Sequence, residues 1–165
     1  MPEHRRGRGW MKITDRLKVE HGVFLLQARW LEDLVKSGAP PEALRATLDT
    51  VALAEEWHTL LEDRLLYPAL AETLGPGNPL LQEVEQDHRA LRALSDKVRT
   101  GEFGPEDVLA YVQRLRAHLE REIHGLFVLA EQRIAPERLS GMCNWDAEHI
   151  FEEAGKREEW LRSLE

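Results

Sequence analysis

Cysteine occurs once in 165 residues, at Cys143. No internal disulfide is possible, and a reducing, cytoplasmic setting is the expectation. Long hydrophobic runs are missing as well. None exceeds five residues, as in Leu126 to Ala130, far short of the ~20 that a membrane span needs, so no membrane partner is expected. The first residues are basic but carry no apolar stretch ahead of a cleavage site, which argues against a secretory signal. Asn, Ser and Thr are scarce and no Asn-Gly or Asp-Gly pair occurs, so hairpin-rich β architectures lack their turn chemistry. There is no Gly-rich phosphate loop, no Gly-x-Ser-x-Gly elbow and no Cys-x-x-Cys. Positive charge is not in excess: the formal net charge is −8, which disfavours nucleic acid as the main partner.

What is present reads as a folded, all-α chain. Hydrophobic residues make up 42% and charged residues 32%, the composition of a globular domain, and the length suits one domain with a sizeable core. Gly and Pro cluster at Gly38–Pro41, at Gly75–Pro79 and at Gly101 with Gly104–Pro105. These breakers delimit four helices: Thr14, as N-cap, to Ser37; Pro41 towards Leu74, with Pro68 inside; Pro79 to Thr100; and Pro105 to Ile134. Proline opens three of them, as helix N-termini favour. Apolar residues recur at 3-4 spacing along each helix. The stripes are Leu17, His21, Phe24, Ala28, Leu31; then Leu48, Val51, Glu55, His58, Glu62, Leu65, Ala69; then Leu81, Val84, His88, Leu91, Ser95; then Tyr111, Leu115, His118, Glu122, Gly125, Leu129. Such stripes predict an antiparallel, up-down-up-down four-helix bundle. The expected organisation is a basic tail over residues 1–13, the bundle over 14–134 and a C-terminal helical extension over 135–165 bearing Trp145, Phe151 and Trp160.

Each stripe is interrupted by one histidine, and two add a glutamate one turn later. Helix heights test whether these meet. His21 lies 16 residues before Ser37 and His58 lies 17 after Pro41; His88 and His118 each lie 13 from the turn that joins their helices. At ~1.5 Å per residue both pairs fall level. His58 and His88 fall level only if helix two breaks or kinks at Pro68.

His58/Glu62 and His118/Glu122 each put an imidazole and a carboxylate on one helix face. His21 and His88 add a nitrogen each. Four neutral imidazoles with two carboxylates suit first-row transition metals such as iron or zinc better than magnesium or calcium, and each carboxylate can bridge two ions. Spacing alone is a weak signal. Glutamate is 22 of 165 residues, so roughly one His-x-x-x-Glu pair is expected by chance among seven histidines, against three present. The third is His149/Glu153. The combination carries the weight: one histidine per helix, on core stripes, at matched heights, with glutamates that are rarely buried unless paired. His124 lies about 240° round the helix from His118 and faces elsewhere. His149 and His4 read as solvated residues, Cys143 as a passive thiol, and Tyr67, Tyr111 and the tryptophans as packing residues. Glu55-x-x-His58 and Glu85-x-x-His88 have the spacing of ferritin-like di-iron sites, but Lys18 and Leu115 stand where that pattern needs further carboxylates.

The ordered set His21, His58-x-x-x-Glu62, His88, His118-x-x-x-Glu122 resembles the hemerythrin-like HHE cation-binding family. Val19–Glu20–His21, Tyr67–Pro68, Asp87–His88 and Leu126–Phe127 add local likeness over roughly residues 14 to 134. The resemblance implies a non-haem di-iron centre, with His21 and His58 on one iron, His88 and His118 on the other, Glu62 and Glu122 bridging, and an oxide or hydroxide bridge. Oxygen carriers of the family are similar but have two histidines four apart on helix three; the positions four either side of His88 here are Val84 and Arg92. The pattern is closer to members that sense iron or oxygen or handle nitric oxide and peroxide. It implies a small diatomic or peroxide ligand in sensing, iron handling or stress response, with catalysis undecided, a redox partner protein, and oligomerisation left open. A bundle with an incidental divalent cation is the other reading.

Overall fold

The computed structural model describes residues 11–143 and residue 145. The expected basic tail, His4, and His149, Phe151 and Trp160 of the C-terminal segment fall outside the described residues. Within them the chain is helical, without a strand. The elements are α1 (Ile13–Lys36), α2 (Pro41–Leu61), a π turn (Glu62–Leu66), α3 (Tyr67–Leu74), α4 (Pro79–Thr100), α5 (Pro105–Arg121), a second π turn (Glu122–Leu126), α6 (Phe127–Arg133) and α7 (Pro136–Cys143). They form a helical bundle in which α1 packs on α2 and α5, and α4 packs on α2 and α5. No helix among the described residues is long and apolar enough to cross a membrane.

Local chemistry explains the boundaries. The Lys12 N–H, at the head of α1, donates to the Asp15 carboxylate at 3.1 Å. Thr14, expected as the N-cap, lies inside the helix, and its buried hydroxyl donates to Glu131 at 2.9 Å. At the other end Gly38 takes φ of +69°, a conformation open to glycine. There the Gly38 and Ala39 N–H groups cap the carbonyls of Val35 and Leu34, each at 3.1 Å. The Asn78 side chain accepts from the Leu80 N–H at 3.0 Å, and Pro79 opens α4.

Pro68 does not break the second rod. Helix runs continuously over residues 41–74, with the proline near the start of α3, and the irregularity lies upstream. In the π turn the Tyr67 N–H bonds the Glu62 carbonyl, five residues back. The fourth rod, α5 with the second π turn and α6 (residues 105–133), repeats this, with the Phe127 N–H on the Glu122 carbonyl. A π turn holds one residue more than an α turn, so the core stripe slips by one. The 3-4 pattern predicts Leu65, Gly125 and Leu129 in the core. The structure buries Leu66, Leu70, Leu126 and Ala130 instead, leaving Leu65, Gly125 and Leu129 partly exposed.

Two apolar clusters result. One gathers Ile13, Leu17, Leu66, Leu70, Leu81, Val84, Leu126 and Phe127. The other gathers Phe24, Ala28, Leu31, Leu48, Val51, Leu91, Val98, Tyr111 and Leu115. Between them, in sequence on every rod, falls the layer of buried histidines and glutamates.

Candidate metal centre

α1 supplies His21, α2 and its π turn His58 and Glu62, α4 His88, and α5 and its π turn His118 and Glu122. All six are buried, His88 being the most exposed at 6%. Their donor atoms fall into two groups: His21, His58, Glu62 and Glu122, and Glu62, His88, His118 and Glu122. In each the atoms lie within 4.8 Å of one another.

The finer distances divide the layer into two halves. His21 Nε2 and His58 Nε2 are 3.1 Å apart, as are His88 Nε2 and His118 Nε2. Each glutamate sends one oxygen to each half. Glu62 Oε1 lies 3.0 Å from His58 Nε2 and Glu62 Oε2 lies 3.3 Å from His88 Nε2. Glu122 Oε2 lies 3.0 Å from His21 Nε2 and Glu122 Oε1 lies 3.2 Å from His118 Nε2. Nitrogen and oxygen atoms that converge this closely from four helices suit donors aimed at a common point in each half. Donors about 2.1 Å from one ion lie ~3.0 Å apart at a right angle and ~3.4 Å apart at the tetrahedral angle. The nitrogen pairs at 3.1 Å fit the right angle better, as an ion with more than four ligands requires. The residues therefore fit metal binding, with each carboxylate offering one oxygen to each half.

Electrostatics point the same way, since two buried carboxylates demand positive charge. Burial by itself pushes the His58 imidazole down, but Glu62, Glu20 and Glu122 outweigh it and hold its pKa up at about 10. Burial likewise opposes protonation of His88, and Asp63, Glu122 and Glu62 carry it up to about 12. His118 is raised against burial by Glu122 and Asp87. Burial favours the neutral form of both glutamates, yet the imidazoles hold Glu62 below, and Glu122 well below, the usual carboxylate range. Without a metal, protons on imidazoles neutralise the layer; a multivalent cation takes over the same role.

A second ring of groups orients the first. His58 Nδ1 meets Glu20 Oε2 at 2.7 Å and His88 Nδ1 meets Asp63 Oδ1 at 3.2 Å. His118 Nδ1 faces Asp87 Oδ2 at 3.5 Å; Asp87 is itself held by Arg114 and Arg121. A carboxylate on the far nitrogen fixes the ring and turns Nε2 towards the centre. The Tyr67 hydroxyl, expected only to pack, donates to Glu122 Oε1 and lies 3.4 Å from Glu62 Oε2. Burial and both glutamates push its pKa well above the ordinary tyrosine value, so it keeps its proton. Glu55 stays outside both groups. It accepts from Thr59 at 2.8 Å, and burial raises its pKa. His124 is exposed and Cys143 is partly exposed, away from these donors.

All six residues singled out by the stripe pattern thus meet in one layer. Glu20, Asp63, Asp87 and the Tyr67 hydroxyl escaped that reading. Glu20 and Asp87 each precede a histidine in sequence, but each serves a histidine of a different helix, which no spacing rule along one helix reveals. No curated protein and no solved structure matches the chain. A family model does, that of the hemerythrin HHE cation-binding domain, over residues 12–130. With that match spanning most of the chain, and a buried two-lobed His/Glu cluster at its centre, the protein belongs to the hemerythrin HHE cation-binding family.

Proposed function

We propose that this chain is a non-haem di-iron protein that binds or reacts with a small ligand such as oxygen, nitric oxide or peroxide, in sensing, iron handling or stress response in the cytoplasm. His21 and His58 would hold one iron and His88 and His118 the other, with Glu62 and Glu122 each offering an oxygen to both. The scaffold is an antiparallel up-down-up-down bundle over residues 14–134, followed by a helical extension over 135–165. The observation that supports this most directly is the division of each glutamate between two histidine pairs, one oxygen to each. Four imidazoles and two carboxylates suit iron.

Bound iron would supply electron transfer and an electrophilic site for the small ligand. The rest falls to the chain. Glu20 and Asp63 set the orientation of the His58 and His88 rings. Tyr67 holds a proton at Glu122 Oε1, beside the place where a ligand between the two halves would lie. The apolar clusters on either side exclude bulk water. A redox partner protein would be needed for repeated turnover with oxygen or peroxide.

Elemental analysis with an aerobic optical spectrum tests the reading. Protein produced with ample iron should hold about two irons per chain, since six converging ligands are too many for one tetrahedral ion. One zinc per chain and no capacity for iron would overturn it.

A further inference from the structure

The two halves of the layer differ in how they meet the outside. At the His21/His58 end two aromatic rings close the site. Phe24 stands edge-on to His58, with ring centroids 5.1 Å apart and planes at 89°. Phe127 lies 5.1 Å from the His21 ring. Those imidazoles are 0% and 1% exposed. At the other end a cavity of about 370 Å³ runs in between α3 and α4 and reaches His88 and Tyr67, whose rings stack at 5.6 Å. Ala71 and Leu81 line its wall, and the exposed Arg89 and Arg92 stand with Asp63 and Glu85 on its lining. Two acids and two arginines leave that lining without a dominant sign. The route therefore discriminates by size and shape rather than by charge. Arg92 also occupies a position one turn beyond His88, where a further imidazole ligand could have filled the space; its side chain lines the cavity instead.

We infer that small neutral or singly charged ligands reach the site by this cavity and arrive at its His88/His118 half, while Phe24 and Phe127 seal the His21/His58 half. The inference rests on the di-metal reading above and adds the direction of approach. It makes Ala71 and Arg92 residues that control access without touching the metal, and it makes the two metal positions unequal although their ligand sets match.

The test uses the full chain loaded with iron, with sodium azide as the probe and stopped-flow absorbance as the readout. Iron content is measured first: a chain without iron overturns the di-iron reading and this one with it. Ala71→Trp fills the cavity near His88. It should slow both azide association and release about tenfold, leaving the equilibrium affinity and iron content nearly unchanged, because a gate alters both rates together. Phe24→Ala opens the seal at the opposite end and, added to Ala71→Trp, should restore part of the association rate that the filled cavity removes. Arg92→Trp obstructs the same passage from α4 and serves where Ala71→Trp loses iron or fails to fold. Wild-type azide rates in an iron-loaded cavity variant, or no recovery of rate when Phe24→Ala is added to it, would overturn the proposed route and seal while leaving the di-iron reading intact.

Discussion

Residues 58–67 and 118–127 are two versions of one frame. Each runs His-x-x-x-Glu-x-x-x-Leu-aromatic, each begins its π turn at the glutamate, and each buries the leucine and the ring that follow. They differ in one atom of consequence. Tyr67 carries a hydroxyl, which donates to Glu122 of the opposite rod. Phe127 has none and packs on His21. The same backbone device thus places a proton donor at one half of the site and an apolar plug at the other. Shared backbone geometry fixes where the six donors converge; the residue after the leucine decides how wet and how polar each half is.

The strongest way to break this comparison is to remove a group that both halves share. Glu62→Ala takes a carboxylate oxygen from each half at once, so both metals should be lost rather than one. In the metal-free protein it also strands charged imidazoles, at a cost of about 3–5 kcal/mol. His88→Ala, in contrast, should spare the His21/His58 half. Metal content per chain together with thermal melting distinguishes the two outcomes, and equal losses from both variants would refute the division into halves.

pH gives the next largest effect. The His58 pKa stands raised to about 10 in the metal-free protein and that of His88 to about 12, against about 6.5 when unfolded. A raised folded pKa stabilises fully below the unfolded value and loses that contribution as pH climbs towards the folded one. The glutamates are lowered, so their contribution fades as pH falls below the ordinary carboxylate range. Metal-free protein should therefore melt highest near pH 5 to 6.5 and progressively lower from pH 7 to 10. Metal binding gains over the same alkaline range, as protons stop competing for the ligands. The gap between the melting temperatures of loaded and metal-free protein should widen with pH; a constant gap would show that the histidines do not exchange protons for metal.

The outer carboxylates sharpen the comparison further. Glu20 meets its histidine at 2.7 Å and Asp63 at 3.2 Å, and the Asp63 side chain is the more exposed. Glu20→Gln should weaken metal affinity by about 10- to 100-fold, and Asp63→Asn by less. Competition with a chelator would measure both, and the reverse order would contradict the geometry. Smallest is Tyr67→Phe, which makes the two frames alike. Loss of one buried hydrogen bond should lower the stability of the metal-free protein by about 1 kcal/mol and shift the optical spectrum of the loaded protein without removing metal.

The six central donors were legible because each lies on an apolar stripe where a polar residue is costly, and because matched distances from the loops put them level. The starts of α2, α4 and α5 were legible from prolines. The π turns were not. They depend on which carbonyl an N–H chooses, and Leu65, Leu66 and Tyr67 offer apolar side chains to either register. Pro68 did mark a disturbance, but the fourth rod makes the same turn with Val128 in the corresponding place, so proline is not its common cause. Tyr67 escaped for a related reason: in an unbroken α-helix it falls off the stripe, and only the extra residue turns its hydroxyl inward.

That extra residue also gives each rod slack in length at the metal layer. Deleting one residue from an ordinary α-helix rotates everything beyond it by about 100° and takes its core face out of register. Deleting the exposed His124 from the second π turn would instead let the turn close to α. Leu126 and Ala130 would then move into the positions that the 3-4 pattern reserves for the core, and the cluster around Leu66 and Leu126 would keep its partners. A lineage carrying this fold can thus lose a residue at the glutamate turn and keep a folded bundle, whereas the α segments on either side have no such reserve. Phe127 follows Leu126 directly, so its ring would keep its place behind Glu122 as well. Chain length at these turns is in that sense adjustable without loss of the fold or of the ring beside the site.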